Sequence, residues 1–127
     1  MKKIISTEKA PKAVGPYSQA VWANDLLFIS GQIPIDSKTG KFVSEDVKKQ
    51  TKQVFKNLGA ILKEAGLSYE NIVKATVYLA DMNDFAAMNE VYASFFEKDF
   101  PARAAFQVVK LPLGAKVEIE AIAVGDI

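Results

Sequence analysis

The apolar residues between positions 44 and 66 recur at helical spacing, and segments with strand-like spacing lie on both sides of them. We expect the helix to have Ser44 as its N-cap, Glu45 and Asp46 in its first turn, and Gly66 as its stop. Its apolar face consists of Val47, Val54, Leu58, Ile61, Leu62 and Ala65. A helix with one apolar face needs a second apolar layer, so the flanking strands are expected to form a sheet beneath it.

The flanking segments predict six strands and a second helix. Alternating or continuous apolar runs place the strands at residues 3–6, 20–23, 26–33, 72–79, 104–109 and 116–124. Asn24 and Asp25 are expected to form a tight hairpin turn, and residues 10–16 and 111–114 to form loops. The second helix is predicted over residues 84–96, before Pro101, with a buried face of Phe85, Met88, Tyr92 and Phe95.

The strands predicted at residues 72–79 and 116–124 are expected to have two chemically different faces. The side expected to lie under the helices carries Val73, Ala75, Val77, Leu79, Val117, Ile119, Ala121 and Ala123. The opposite side carries Thr76, Tyr78, Glu118, Glu120, Ile122 and Val124. Because two helices cover only one face, this half-apolar side is predicted to be an oligomer interface with polar pockets at its edge.

Composition excludes several classes of chemistry. The 127 residues suffice for a single domain over residues 1–127, and the formal net charge of +1 indicates no nucleic-acid arm. Cysteine and histidine are absent, which excludes disulfides, thiolate metal sites, a thiol nucleophile and a histidine base. No stretch is typical of a signal peptide or a membrane span, so the expected compartment is the cytoplasm.

Arg103 is the only arginine among sixteen basic residues, the others being lysines. A guanidinium binds a planar carboxylate through two parallel charged hydrogen bonds, which a lysine cannot imitate. Arg103 is therefore a candidate anchor for a substrate carboxylate. The alternative is a structural ion pair or an ordinary surface residue.

Other candidate site residues allow two interpretations each. Glu118 and Glu120 share one strand face, so one of them could orient a water for attack, or both could be solvated carboxylates at a strand end. Gly31, within Ser30-Gly31-Gln32, indicates either a bulge or the close approach of a ligand or backbone. Tyr17 closes over a site or anchors a loop, and Asn89 contacts a ligand or lies on a helix flank.

Five fragments follow one another in a fixed order. They are residues 15–20 (GPYSQA), 28–34 (FISGQIP), 77–81 (VYLAD) with Phe85, Asn89 and Tyr92 downstream, 101–103 (PAR) and 116–121 (KVEIEA). In this order and spacing, the sequence resembles from end to end the RidA/YjgF family of reactive-intermediate deaminases.

This resemblance implies a fold, an assembly and a set of roles. The implied fold is α+β, chorismate-mutase-like (YjgF-like), with a mixed β-sheet and two long helices on one face. The implied assembly is a homotrimer with a central barrel and three clefts between neighbouring subunits. Arg103 would anchor the carboxylate with help from the backbone of Gly31, and Glu118 would position and activate water. Further cleft residues would be Tyr17, Ser30 and Asn89.

The implied activity is hydrolysis of 2-aminoacrylate and 2-iminobutanoate to 2-keto acids and ammonia, without a cofactor or metal. Many family members have a cysteine two places after the arginine, where this chain has Ala105. The change excludes thiol chemistry at a substrate-binding position, but hydrolysis does not require the sulfur. The implied partners are the small substrate and two further copies of the chain, with no nucleic acid and no membrane.

Two rival functions follow from the same residues. A non-catalytic ligand-binding or regulatory trimer would sense small 2-keto acids or carboxylates in the same cleft. Such a sensor needs Arg103 but not Glu118, so the presence of both favours the enzyme. RNA cleavage or translational inhibition is disfavoured by the near-neutral charge, the single arginine and the missing histidine.

Overall fold

Six strands form one mixed sheet in the computed structural model, which describes residues 2–125. The strands are β1 (Lys2–Ile5), β2 (Ala20–Ala23), β3 (Leu26–Gln32), β4 (Ile72–Leu79), β5 (Ala102–Gln107) and β6 (Val117–Val124). Their order across the sheet is β1-β2-β3-β6-β4-β5. The β4 and β5 strands pair in parallel, and the other neighbours pair antiparallel, which confirms the predicted mixed sheet.

The long helix α1 (Val47–Glu64) matches the predicted periodicity, but its cap is Asp46 rather than Ser44. The carboxylate of Asp46 accepts a hydrogen bond from the backbone N–H of Lys49 at 3.0 Å. The Ser44 hydroxyl instead accepts from the N–H of Asp46, so Glu45 and Asp46 precede the first turn. Gly66, with a φ of +79°, follows the last turn and ends the helix as predicted.

The second helix, α2 (Phe85–Ser94), is shorter than the predicted span of residues 84–96. A 3₁₀ turn at Met82–Asp84 precedes it. Met88 and Tyr92 are buried, whereas Phe85 and Phe95 are only half-buried because they lie at the two ends of the helix. No helix described within residues 2–125 is both long and apolar enough to cross a membrane.

The predicted faces of β6 are confirmed. Val117, Ile119, Ala121 and Ala123 are buried in the core under α1. The prediction for Val73 is wrong: it is 43% exposed, and Ile72 is buried in its place. A shift in register between Ile72 and Lys74 reverses the direction of the side chains at the start of β4.

The β5 strand begins earlier than the predicted residue 104, and this shift includes Arg103 in the sheet. Its parallel register pairs Ala75 with Arg103 and Val77 with Ala105. The β1 strand likewise starts one residue earlier than predicted, and β3 and β6 are each one residue shorter. Within the predicted loop of residues 111–114, Pro112–Gly114 forms a single 3₁₀ turn.

Candidate functional site

The face of the sheet opposite the helices has the mixed character that the sequence predicts. Phe28 and Phe106 are each 44% exposed on it. Tyr78 lies across from Glu118 in the β4–β6 register, and its ring meets that of Phe106 edge to face at 5.3 Å. Apolar rings and carboxylates therefore share this partly exposed surface.

Glu118 is half-buried beside a bulge in β3. The register of β3 against β6 shifts between Ile29 and Gln32, which places Gly31 against the Glu118 side chain. A Cβ atom built on Gly31 would overlap the Glu118 carboxylate. The bulge interpretation of Gly31 is therefore confirmed, and the missing side chain makes room for the carboxylate of Glu118.

The surroundings of Glu118 favour its protonated form. Burial raises the pKa of its carboxyl above the usual range, and the charge of Glu120 raises it further. Glu120 accepts a hydrogen bond of 2.7 Å from the Tyr78 hydroxyl, which raises the pKa of Tyr78 to about 12. Among residues 2–125, no hydrogen bond or ion pair involves the Glu118 carboxylate. This group is thus a proton acceptor of increased basicity that is open to a water or ligand.

A cavity of about 590 Å³ opens in front of Glu118. Tyr17, Ser30 and Gly31 line it, together with apolar side chains from the loops that carry Val14 and Leu113. Tyr17 is 50% exposed, and the Ser30 hydroxyl donates to the carbonyl of Ser18 at 2.6 Å. The structure thus brings four of the predicted site residues together: Tyr17, Ser30, Gly31 and Glu118.

Arg103 lies on the other face of the sheet, at the open edge formed by β5. Its neighbour in the register, Ala75, points into the core, and Arg103 points the same way toward α2. Its Nη1 donates a hydrogen bond of 2.6 Å to Oδ1 of Asn89. Its guanidinium carbon lies 4.8 Å from the ring centre of Tyr92 and 5.4 Å from that of Phe85.

Within the part of the chain that the structure describes, the guanidinium of Arg103 has no carboxylate partner. The ion pair found there joins Lys48 to Glu90 and does not involve Arg103. Asn89 and Arg103 also line a shallow cleft of about 410 Å³ with Phe100 and Pro101. Ala105 lies two residues along the same face of β5 and is half-buried against the core. This second group therefore contains the three remaining predicted residues: Asn89, Arg103 and Ala105.

Within one chain, the structure does not bring Arg103 and Glu118 together. One points toward the helices at the edge of the sheet, and the other points away from the helices near its centre. Neither group is complete within residues 2–125: one has a guanidinium without a carboxylate partner, and the other has a carboxylate without an ion-pair partner, with Lys12 elsewhere in the lining of its cavity. The two groups can contact one small ligand only if they come from different copies of the chain.

Three contributing residues were missed by the sequence reasoning. Phe85 and Tyr92 were assigned to the core alone, although their rings also contact Arg103. Gln19 is buried, and its side chain hydrogen-bonds Thr7 and the carbonyls of Ala10 and Pro11, which holds the loop before the cavity. The i, i+4, i+7 spacing of Phe85, Asn89 and Tyr92 is the signal that places all three on one side of α2.

Within residues 2–125, no three His, Cys, Asp or Glu side chains lie close enough to hold an ion.

This chain is similar to proteins that have already been named. A family model described as endoribonuclease L-PSP matches residues 7–125. A Mus musculus protein named 2-iminobutanoate/2-iminopropanoate deaminase is 55% identical over 124 residues, which cover 98% of this chain and 92% of that protein.

Two solved structures from E. coli have the same fold. The YjgF gene product has a TM-score of 0.92 and 47% identity, over 96% of this chain and 98% of that one. TdcF, solved with bound serine, has a TM-score of 0.93 and 46% identity, over 98% of this chain and 99% of that one. The YjgF-like α+β fold expected from the sequence is therefore confirmed.

Proposed function

Since this chain belongs to the endoribonuclease L-PSP family and closely resembles a named imino-acid deaminase, we propose that it hydrolyses reactive 2-imino and 2-enamino acids. The products are 2-keto acids and ammonia, and 2-aminoacrylate and 2-iminobutanoate are the expected substrates. The observation that carries the proposal is a guanidinium without a carboxylate partner on one face and a half-buried, unpaired carboxylate on the other. These are the two charged groups that an imino-acid hydrolase requires.

The active site in this proposal is shared between subunits of a homotrimer. The β5 edge of one subunit, with Arg103, Asn89 and Ala105, lies over the cavity of the next subunit. That cavity contributes Tyr17, Ser30, Gly31 and Glu118. The rings of Phe28 and Phe106 are exposed in the single chain, and a trimer that packs its sheet faces around a central barrel would cover them. This exposed apolar surface supports the assembly. Serine bound to TdcF supports a site for a short amino-acid-like molecule.

The hydrolysis follows from the positions of these groups. An enamine tautomerises to an imine, whose protonated form is electrophilic at C2. Arg103 holds the carboxylate through two parallel hydrogen bonds, and the backbone of Gly31 assists from the neighbouring subunit. This fixes C2 in front of Glu118 and reduces the entropic cost of the attack.

Glu118 then transfers both protons of the attacking water to the nitrogen, one after the other. It orients a water and takes a proton from it as the oxygen forms a bond to C2. The raised pKa of Glu118 suits this step, because burial has made the carboxylate a stronger base. The proton passes to the nitrogen, and Glu118 then takes the remaining hydroxyl proton as the C=O bond forms and the C–N bond breaks. The departing ammonia accepts this second proton and leaves as ammonium with the keto acid. The step needs no metal or cofactor.

The name of the mouse relative favours this deamination over the rival of a non-catalytic sensor of keto acids. The proposal also excludes RNA as a substrate, in spite of the family description, since a net charge of +1 provides little attraction for phosphates. We place the trimer in the cytoplasm, without a membrane partner.

A coupled assay tests the proposal. A pyridoxal-phosphate dehydratase generates the imine from serine or threonine, and release of the keto acid is measured with and without this protein. Wild type is expected to accelerate release, Arg103→Ala to abolish the acceleration, and Glu118→Ala to lower kcat by roughly 10²-fold or more with a smaller effect on KM. Lys98→Ala and Glu97→Ala serve as matched controls, because both side chains are exposed and lie in neither group. Unchanged rates in Arg103→Ala and Glu118→Ala would refute the assignment.

A further inference from the structure

We propose that Phe85 and Tyr92 are positioning residues that hold the guanidinium of Arg103 so that its free N–H groups face an incoming carboxylate. This inference rests on the proposed function for its ligand, a 2-imino or 2-keto acid. It adds two residues to the site that contact neither the substrate nor the water. Their rings and Asn89 are together called the arginine clamp below.

The clamp follows from helical geometry. Phe85, Asn89 and Tyr92 are spaced i, i+4 and i+7 along α2, so all three project from the same side of the helix. This side meets Arg103 on β5. A ten-residue helix can therefore present two aromatic rings and one amide oxygen to a single guanidinium.

Each member of the clamp constrains Arg103 differently. The guanidinium carbon lies 4.8 Å from the Tyr92 ring centre and 5.4 Å from the Phe85 ring centre, both within the range of cation–π attraction. Asn89 fixes one edge by accepting from Nη1 at 2.6 Å. Among residues 2–125, the remaining N–H groups of the Arg103 guanidinium have no acceptor, so they are available to a ligand.

The clamp is rigid because Tyr92 is anchored in the core. Its ring is buried and meets Phe55 edge to face at 5.4 Å. Phe55 in turn is fully buried in α1 and stacks on Phe95 at 4.5 Å. An otherwise exposed arginine at a sheet edge would sample many rotamers, and ordering it upon binding would weaken affinity. The aromatic contacts order Arg103 before the ligand arrives.

The clamp has a spectroscopic test that does not depend on activity. Arg103 is the only arginine, so ¹⁵N-labelled full-length protein gives one side-chain Nε–H resonance. The two rings should shift this resonance away from the position of a free arginine. Phe85→Leu and Tyr92→Leu are expected to move it toward that position, whereas Tyr92→Phe keeps it in place. Phe42→Leu is the matched control, because it removes a ring that lies in the loop before α1 opposite Ile35 and is not among the rings packed on Arg103 or Tyr92.

A binding measurement tests the consequence for the ligand. Pyruvate is titrated into the same proteins by calorimetry, and its Kd is expected to rise about threefold to tenfold in Phe85→Leu and in Tyr92→Leu. Tyr92→Phe should keep the wild-type Kd, and Phe42→Leu should leave it unchanged. In the coupled assay, the same factor should appear in KM with kcat within about twofold of wild type.

Two results would overturn the clamp: an Nε–H resonance that is the same in wild type, Phe85→Leu and Tyr92→Leu, or a resonance that moves while the Kd of pyruvate does not. A wild-type protein that neither binds pyruvate nor accelerates keto-acid release would instead refute the proposed function. The resonance experiment separates the two failures.

Discussion

Replacing Gly31 with alanine tests how the fold places the proposed base. Gly31 lies in the β3 bulge, and its φ is outside the left-handed region, so alanine can adopt the same backbone conformation. The new Cβ would overlap the Glu118 carboxylate and lie 3.2 Å from its Cγ. The carboxylate is the flexible end of that side chain, so we expect Glu118 to turn away while the strand stays in place.

The expected magnitude follows from this displacement. Stability should change by less than about 1 kcal/mol, because the substitution costs no backbone strain and reduces the entropy of the unfolded chain. A catalytic group displaced by about 1 Å loses on the order of 10² in rate. We therefore expect kcat/KM for 2-aminoacrylate to fall about 100-fold, which corresponds to roughly 2.7 kcal/mol of transition-state stabilisation.

The assay combines the coupled measurement of keto-acid release with urea unfolding of the same variants. A double-mutant cycle supplies the control: in a Glu118→Ala background, Gly31→Ala should have little further effect, since the side chain it displaces is gone. The reasoning is refuted if Gly31→Ala retains the wild-type kcat/KM. It is also refuted if the loss is equally large without Glu118.

Three further predictions concern charge and capping. Glu120→Gln should shift the acidic limb of the kcat/KM profile to lower pH, because it removes the negative charge that raises the pKa of Glu118; an unshifted profile contradicts this. Glu118→Gln should raise the free energy of unfolding at pH 7 by less than about 1 kcal/mol, since the folded state penalises the charged carboxylate. In urea titrations at decreasing pH, this gain should disappear between the raised pKa of Glu118 in the folded state and the usual pKa of glutamate. Below that range Glu118 is protonated in both the folded and the unfolded state. Asp46→Ala should lower the free energy of unfolding by about 1 kcal/mol in thermal denaturation, and Ser44→Ala should lower it by less. If Ser44 were the cap, the order of the two losses would be reversed.

Local periodicity accounts for the parts of the fold that the sequence predicts. The apolar face of α1, the stop at Gly66 and the alternation of β6 each depend on residues close together in the chain. The hairpin at Asn24 is equally local, and Asn24 has a φ of +55°. Such features are predictable because nearby residues fix them before any distant contact forms.

The sequence predictions that proved wrong concern features that depend on contacts between distant parts of the chain or on the observed backbone. β5 starts at Ala102 because its parallel pairing with β4 extends that far, and Ala102 to Ala105 contains no β-branched or aromatic residue to indicate a strand. The bulge at Ile72–Lys74, which exposes Val73, depends likewise on pairing with β6. For the α1 cap, Ser44 and Asp46 are both good N-caps, and only the observed backbone distinguishes them.

The candidate site was predictable in its residues but not in its arrangement. Arg103 was singled out as the only arginine, whereas the strand face indicated Glu118 and Glu120 equally and only the family resemblance favoured Glu118. Their separation onto opposite faces depends on the register of β5, which determines that Arg103 points the same way as Ala75. The aromatic contacts of Arg103 were missed because Phe85 and Tyr92 also have the spacing of core residues.

Subunit complementation tests the shared active site most directly. Arg103→Ala and Glu118→Ala proteins, each expected to have about a hundredth of the wild-type activity or less, are mixed in equal amounts and exchanged by reversible dissociation. Each cleft needs Arg103 from one bordering subunit and Glu118 from the other. In a random mixture, each of these two subunits carries the residue it must supply in about half of the clefts, so about a quarter of the clefts have both residues. We predict that keto-acid release recovers toward about a quarter of the wild-type rate, in proportion to the mixed trimers formed. Mixed trimers that remain as inactive as either parent would show that Arg103 and Glu118 do not serve one cleft from different subunits.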